Sequence, residues 1–133
     1  MDSATKTLVI EMTRASDEER MTFPQAVAAL VAARVERYHA DLMRSERVFY
    51  MPDGASERVS MHTSPPPAAA FVAQGVEAAV GAIQRGEIPY LEFCARIAQA
   101  GCVGYHVFLS GRRVIYYGRK GDQHVEYFPG AKP

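Results

Sequence analysis

Three polar side chains near the end of the chain could together perform acid/base chemistry. They are Tyr117, His124 and Glu126, and a further imidazole, His106, lies a short way before them. His124 and Glu126 are two residues apart, so in a β-strand both point to the same face. An imidazole held by a carboxylate and flanked by a phenol can move a proton as a general base or acid. These four residues form the candidate polar cluster.

The spacing of the cluster argues against a metal centre. With strands about 4.8 Å apart and a rise of about 3.4 Å per residue, we expect the Cα atoms of His106 and His124 to lie about 12 Å apart. Zinc–nitrogen bonds of about 2 Å make that span hard to bridge. The sequence therefore predicts no metal and no cofactor. The plainer alternative to a polar pocket is a solvated sheet face on which Tyr117 pairs with His124.

The cluster lies on predicted strands that follow a helix in the last third of the chain. Alternating apolar and polar residues predict strands over 102–109, 113–118 and 123–128, joined by turns at Ser110-Gly111 and Lys120-Gly121. Loops of two or four residues predict the following pairs: Tyr105 with Tyr116, Tyr117 with His124, and Ile115 with both His106 and Glu126.

This register assigns the strand residues to two faces of the sheet. The inward set is Val103, Tyr105, Val107, Val114, Tyr116, Val125 and Tyr127. The outward set is Gly104, His106, Phe108, Ile115, Tyr117, His124 and Glu126, joined by Phe49 from the first half of the chain. A three-residue loop with a bulge at Gly111 would change part of this assignment. The outward set is more apolar than a wet face, which predicts that a dimer partner or an unknown small ligand covers it.

Four helices and three further strands are predicted in the rest of the chain. Asp2 and Ser3 cap a first helix that runs to about residue 15, and a capping box from Thr22 to Gln25 opens the second. The third and fourth helices are predicted over 68–85 and 89–100, and the strands over 35–42, 47–51 and 58–61. Ser64 and the prolines at 65–67 read as a stiff linker.

The chain contains a candidate internal repeat, residues 1–63 and 68–129, joined by the linker at 64–67. At an offset of 67, Tyr38-His39 falls on Tyr105-His106, and at an offset of 66 the segment Arg47 to Tyr50 falls on Arg113 to Tyr116. Chance similarity between two amphipathic helix-and-hairpin units is the alternative. Two ααβββ units predict one α+β domain over 1–133, with an antiparallel sheet and helices on one face.

Composition excludes several classes of protein. Fifteen basic and fifteen acidic residues cancel, so no overall charge attracts nucleic acid or membrane. The basic pairs Arg112-Arg113 and Arg119-Lys120 are expected at opposite ends of one strand and do not form one patch. Cys94 and Cys102 lack a disulfide or zinc pattern and are predicted to be buried thiols, with a bridge between them as the alternative. Without a signal peptide or a long apolar run, the chain is predicted to be cytoplasmic.

Several motifs resemble those of a bacterial family. They are Gln84-x-Gly86-Glu87-Ile88-x-Tyr90-x-x-Phe93, Ala100-Gly-Cys-Val-Gly-Tyr105, Gly111-Arg-Arg-Val114 continuing to Tyr117-Gly-Arg119, Gly121-Asp-x-His-Val-Glu126, Phe128-Pro129, Phe23-Pro24 and Tyr38-His-x-Asp-Leu42. The chain thus resembles the YbcV-like proteins of unknown function over most of its length. That family is sometimes labelled phage-envelope-like, a label that reflects genome context. The resemblance implies no activity, cofactor or substrate.

Two functions from different classes follow from these features. The leading hypothesis is a non-enzymatic binding or interaction protein that forms a homodimer through the outward sheet face, without nucleic acid or membrane partners. The alternative is a small hydrolase or isomerase-like enzyme in which His124 and Glu126 act as general base or acid and Tyr117 orients them.

Overall fold

The computed structural model describes residues 1–131 as four helices packed on one face of a six-stranded antiparallel sheet. The helices are α1 (Ser3–Asp17), α2 (Phe23–Ala32), α3 (Ala73–Gln84) and α4 (Tyr90–Gln99). The strands are β1 (Arg37–Asp41), β2 (Glu46–Tyr50), β3 (Ser56–Ser60), β4 (Gly104–Phe108), β5 (Arg113–Tyr117) and β6 (Gln123–Tyr127). This confirms the predicted α+β class with helices on one face of the sheet.

The first two helices begin where their capping residues predict. The Asp2 carboxylate accepts a hydrogen bond from the Thr5 amide at 2.8 Å. At the start of α2, the Thr22 hydroxyl accepts from the Gln25 amide at 3.4 Å, and the Gln25 side chain accepts from the Thr22 amide at 2.9 Å. Each bond satisfies an amide that a helix terminus leaves without an intrahelical partner.

The third helix is five residues shorter at its start than predicted. Residues 68–72 form a non-helical segment along the end of α4, where the Ala68 amide donates to the Ala98 carbonyl and the Val72 amide to the Ala100 carbonyl. Ala100 thus caps the end of α4 and also accepts a hydrogen bond from residues 68–72, which we call the connector. The preceding prolines are also docked, because the Pro67 carbonyl accepts a hydrogen bond from Arg119 at 3.2 Å. The predicted linker is therefore fastened to the body of the protein.

The sheet is symmetric about its centre. The strand order is β3-β2-β1-β4-β5-β6, and β1 pairs with β4 so that His39 lies opposite His106. Backbone turns with positive φ also recur at a constant offset of 67, namely Glu19 and Gly86, Arg34 and Gly101, Ser45 and Arg112, and Gly54 and Gly121. The predicted change of offset to 66 after the first hairpin is wrong, because both hairpins have four-residue loops. A duplication as the origin of this symmetry stays a prediction.

The last hairpin differs in register from the prediction. Tyr105 does pair with Tyr116 and His106 with Ile115, but Ile115 pairs with Val125 on its other side. The Gly118 amide bonds the Asp122 carbonyl at 2.9 Å, leaving a three-residue loop that ends at Gly121 with φ 86°. A loop with this odd number of residues shifts the pairing by one residue and exchanges the two faces of β6. The alternative three-residue loop, which the sequence analysis places at Gly111, occurs instead in the next loop, over residues 119–121.

The helix-facing side of the sheet forms the core. Tyr38, Ala40, Tyr105, Val107 and Val114 are buried there, and the burial of the last three confirms their predicted inward orientation. Phe49 was predicted to point outward but lies fully buried against Tyr38, with ring centroids 5.1 Å apart. The error has the same source as the offset error, since a one-residue slip reverses every side chain of a strand.

Two glycine substitutions test the docking of the connector. Both Gly54 and Gly101 have positive φ, but a Cβ on Gly101 would lie 2.0 Å from the Ala70 carbonyl oxygen, whereas nothing lies within 4 Å of one on Gly54. We expect Gly54→Ala to lower the free energy of unfolding in urea by about 1 kcal/mol, from backbone strain alone. Gly101→Ala should lower it by at least about 2 kcal/mol more. Equal losses would show that residues 68–72 are not held against α4.

Candidate functional site

The structure divides the predicted polar cluster between the two faces of the sheet. Tyr117 and His106 lie on the face that the helices leave uncovered, which we call the open face. His124 pairs with Tyr116 and Glu126 with Val114, so both point to the helix side. The predicted register of these two residues is therefore wrong, and Tyr117 cannot orient them across the sheet.

The open face carries a different cluster at its centre, formed by His39, His106 and Tyr117. The rings of His39 and His106 lie side by side on paired strands, with centroids 4.3 Å apart. The Tyr117 hydroxyl shares a hydrogen bond of 2.6 Å with His39 Nε2. The sequence predicts His106 and Tyr117 as site residues and matches His39 to His106 in the candidate repeat, and the β1–β4 pairing brings all three together.

A glycine makes room for this contact. Gly104 lies beside Tyr117, and a Cβ there would be 2.7 Å from the Tyr117 hydroxyl oxygen. The position equivalent to Gly104 in the first half is Arg37, whose guanidinium lies 3.9 Å from the ring centroid of Tyr50. Tyr50 is the counterpart of Tyr117 and is thus held by an arginine rather than by a histidine. The two halves therefore differ in chemistry at positions of equal geometry.

Both imidazoles of the cluster are held neutral. Burial, with help from neighbouring His39 and Arg37, lowers the pKa of His106 from 6.5 to about 4. Burial also lowers the pKa of His39, against the opposing effect of Asp41 and Glu46. The same desolvation raises the pKa of Tyr117. At neutral pH the cluster is an uncharged hydrogen-bonding group, which suits a surface that becomes covered.

His124 and Glu126 form a separate pair at the sheet edge. His124 Nε2 donates a hydrogen bond to Glu126 Oε2 at 2.9 Å. Glu126 also lines a groove of about 500 Å³ between β6 and α3, whose other lining residues are Gln74, Glu77, Ala78, Gly81, Gln84 and Arg85. The pair is thus close enough to exchange a proton, but neither His106 nor Tyr117 lies on its side of the sheet.

A buried arginine is the polar feature that the sequence patterns missed. Arg47 is only 3% exposed, and its Nη2 donates to the Tyr90 hydroxyl at 2.5 Å. The Tyr90 and Tyr105 hydroxyls are themselves 2.8 Å apart, and burial raises the pKa of each. Within residues 1–131, Arg47 Nε has no hydrogen-bond partner. A permanently charged guanidinium is therefore enclosed among neutral phenols. Its burial costs desolvation free energy, which the surrounding packing must offset.

The sequence does contain a signal for the buried Arg47, namely that the equivalent residue in the second half of the chain is apolar. At the true offset of 67, Arg47 corresponds to Val114 on the inward face of the sheet. An arginine in place of a core valine would have marked a specialised position. The offset of 66 matched Arg47 with the exposed-side Arg113 and hid the difference.

The described residues also decide the cysteine prediction. Cys94 and Cys102 are buried free thiols. Burial raises the pKa of Cys94 to about 12 and that of Cys102 to about 11, so both are protonated. Among residues 1–131, no group of three or more histidine, cysteine, aspartate or glutamate side chains is arranged to hold a metal ion.

The family of the chain can be stated from its sequence. A family described as "Protein of unknown function (DUF1398)" matches residues 15–126. The chain belongs to this family. DUF1398 carries no assigned activity, and a comparison with curated proteins found no match. In this DUF1398 protein, no helix of residues 1–131 is long and apolar enough to cross a membrane.

The neutral histidines predict a pH dependence of stability. Because the pKa of His106 is about 4 in the folded protein and ordinarily 6.5, the unfolded chain binds more protons between these values. The free energy of unfolding should therefore fall as the pH drops from about 6.5 to about 4. Urea titrations across this range should show a smaller fall for His106→Gln than for the wild type. An identical fall in both proteins would contradict the assignment.

Proposed function

We propose that this protein is an interaction domain that forms a homodimer through the open face of its sheet. The observation that carries the proposal is that all four helices pack on one face, while the other presents a half-buried surface of apolar and aromatic side chains. They are Val48, Tyr50, Phe108, Ile115, Tyr117, Val125 and Tyr127. A contiguous apolar patch of this kind on a protein surface marks an interaction site.

The size of the open face supports a second copy as its partner. Six strands of five residues, about 4.8 Å apart with a rise of about 3.4 Å per residue, form a face of about 29 by 17 Å. Two copies would bury about 1,000 Å² of flat area, and more when side-chain relief is included. That area reaches the lower bound of specific protein interfaces.

The symmetry and charge of the face also support self-association. A twofold interface brings one patch against itself, so it favours a centre without net charge. The centre here is the neutral His39 and His106 pair. At its flanks Arg37 lies over Tyr50, and Arg113 lies over Tyr127 at 4.9 Å from the ring centroid. The arginines are thereby held against aromatic rings, and the carboxylates of Asp41 and Glu46 lie at the other end of β1 and β2.

The other partners considered receive less support. A small ligand is usually held in a concave site, whereas the open face is a sheet surface. The basic pairs Arg112-Arg113 and Arg119-Lys120 lie at the start of β5 and beyond its end, so they do not combine into a nucleic-acid footprint. The free thiols fit the reducing compartment expected for a cytoplasmic protein. A closer relation to YbcV-like proteins rests on the motif resemblance alone.

The enzyme alternative is weakened in its original form. It required Tyr117 to orient His124 and Glu126, and these residues lie on opposite faces of the sheet. The His124 and Glu126 pair could still act as a base beside the groove at α3. A third group that orients the pair or binds a reacting atom is needed for that role, and the phenol proposed for it is on the other face.

A charge on the open face should break the dimer. Ile115 lies between His106 and Val125 on that face. We expect Ile115→Glu to raise the dissociation constant of the dimer at least about 100-fold, because a carboxylate would be buried without a partner. Light scattering coupled to size-exclusion chromatography over a concentration series measures this change.

Leu91→Glu is the matched control for this experiment. Leu91 is an exposed apolar residue in the first turn of α4, on the helical side of the molecule. The same charge introduced there should leave the dimer intact. A wild-type protein that is strictly monomeric at high micromolar concentration, or a dimer broken by Leu91→Glu and not by Ile115→Glu, would refute the proposal.

A further inference from the structure

Asp17, His62 and Ser64 form a hydrogen-bonded line away from the open face. Asp17 is the last residue of α1, and His62 and Ser64 follow β3. The Asp17 Oδ1 to His62 Nδ1 distance is 2.7 Å, and the His62 Nε2 to Ser64 Oγ distance is 3.4 Å. The backbone amide of His62 also donates to Asp17 Oδ2 at 2.9 Å. The carboxylate thus holds both the ring and the backbone of His62.

The carboxylate sets the tautomer of the ring. An ionised carboxylate can only accept hydrogen bonds, so His62 Nδ1 carries a proton and donates it to Asp17. In the neutral ring, Nε2 is then the acceptor that faces the Ser64 hydroxyl. This is the order of groups that activates a serine nucleophile: carboxylate, imidazole, hydroxyl. The long last distance is common in ligand-free sites and shortens when a substrate binds.

The line is rigidly supported. The His62 ring packs edge-on against Tyr90 at 5.6 Å between centroids, and Tyr90 bonds the buried Arg47. Ser64 is followed by three prolines, the last of which is bonded by Arg119. A carboxylate at the C-terminus of a helix opposes the helix dipole, so Asp17 is stabilised by His62 rather than by its own helix.

Ser64 lies at the wall of a cavity of about 260 Å³. The cavity is lined by Leu42, Met43, Ser45, Thr63, Ser64, Pro66, Pro67 and Arg119. Apolar side chains and prolines make up half of this lining, and Arg119 is its one cationic residue. The volume suits a molecule of a few carbon atoms, and the guanidinium suits a carboxylate on that molecule.

We propose that Ser64 is the nucleophile of an esterase site for small acyl esters that carry a negative charge. His62 is the general base, and Asp17 is a positioning residue that acts through His62. Arg119 binds the anionic end of the acyl group. The site is separate from the open face, so this activity would be an additional function of the dimer and does not depend on self-association.

The reaction balances with the groups present and water. Ser64 Oγ attacks the carbonyl carbon while His62 Nε2 takes the hydroxyl proton, and the carbonyl oxygen gains the negative charge. The C–O bond to the leaving group then breaks, and His62 returns the proton to the departing alcohol. Water, deprotonated by His62, attacks the acyl-serine in the same way, and this step releases the carboxylic acid and restores Ser64.

A serine-directed reagent tests the proposal. Wild-type protein is treated with diisopropyl fluorophosphate, and the site of the adduct is mapped by mass spectrometry. One adduct on Ser64 is expected, with none in Ser64→Ala. Ser56→Ala is the matched control, because Ser56 is an exposed serine of β3 that does not line the cavity; it should be labelled as the wild type is.

Hydrolysis of 4-nitrophenyl esters tests the roles of the neighbours. We expect Ser64→Ala to reduce kcat for 4-nitrophenyl acetate at least about 100-fold. Asp17→Asn should reduce kcat with little change in KM, because Asp17 acts on the ring and not on the substrate. Arg119→Gln should lower kcat/KM for 4-nitrophenyl hemisuccinate by a larger factor than for 4-nitrophenyl butyrate, because only the hemisuccinate carries a carboxylate for the guanidinium.

Thermal melts establish that each variant is folded at the assay temperature. If Asp17→Asn does not fold, the labelling of wild type and Ser64→Ala remains decisive. Absence of an adduct on folded wild-type protein, or an adduct on another residue that survives in Ser64→Ala, would overturn the proposal. So would ester hydrolysis that Ser64→Ala leaves unchanged.

Discussion

The antiparallel pairing of β1 with β4 is the contact on which the rest of the structure depends. It joins two three-stranded units into one sheet, so that neither unit has an unpaired strand at the centre of the molecule. The helices of both units then cover one continuous face, and the uncovered halves merge into one open face. Without this pairing, each unit would be a three-stranded sheet with two unpaired edge strands and too small a hydrophobic core for independent stability.

The chemistry of the molecule arises where the two units differ. Gly104 in place of Arg37 allows Tyr117 to reach across to His39, whereas Tyr50 is held under the arginine. On the inward side, the first unit has Arg47 where the second has Val114. The Arg47 guanidinium donates a hydrogen bond to the Tyr90 hydroxyl, which is itself hydrogen-bonded to the Tyr105 hydroxyl. The two units thus offer equivalent backbone positions, and different residues at those positions form different polar sites.

The elements of the fold were largely predictable because their signals are local. Capping residues, apolar periodicity and turn glycines identified four helices and six strands, and the α+β class followed from their order. The start of α3 was not predictable in this way. Residues 68–72 are helix-compatible in composition, but backbone hydrogen bonds to Ala98 and Ala100 hold them outside the helix.

The candidate site was less predictable because it depends on register and on distant contacts. The faces of β6 follow from the number of residues in one loop, so the position of His124 and Glu126 turned on Gly121 and its positive φ. His106 and Tyr117 were identified, but their contact with His39 required knowledge that β1 pairs with β4. The approach of Asp17 to His62 joins residues 45 apart in the chain, and no local pattern indicates it.

Isotope-filtered NOE spectroscopy on a mixture of labelled and unlabelled chains tests most directly whether the open face is the dimer contact. Intermolecular NOEs are expected at side chains of that face, such as Val48, Phe108, Ile115 and Val125, and not at the exposed helical residues Val31 and Leu91. Intermolecular NOEs confined to the helical side, or none at high micromolar concentration, would contradict a dimer built on the open face.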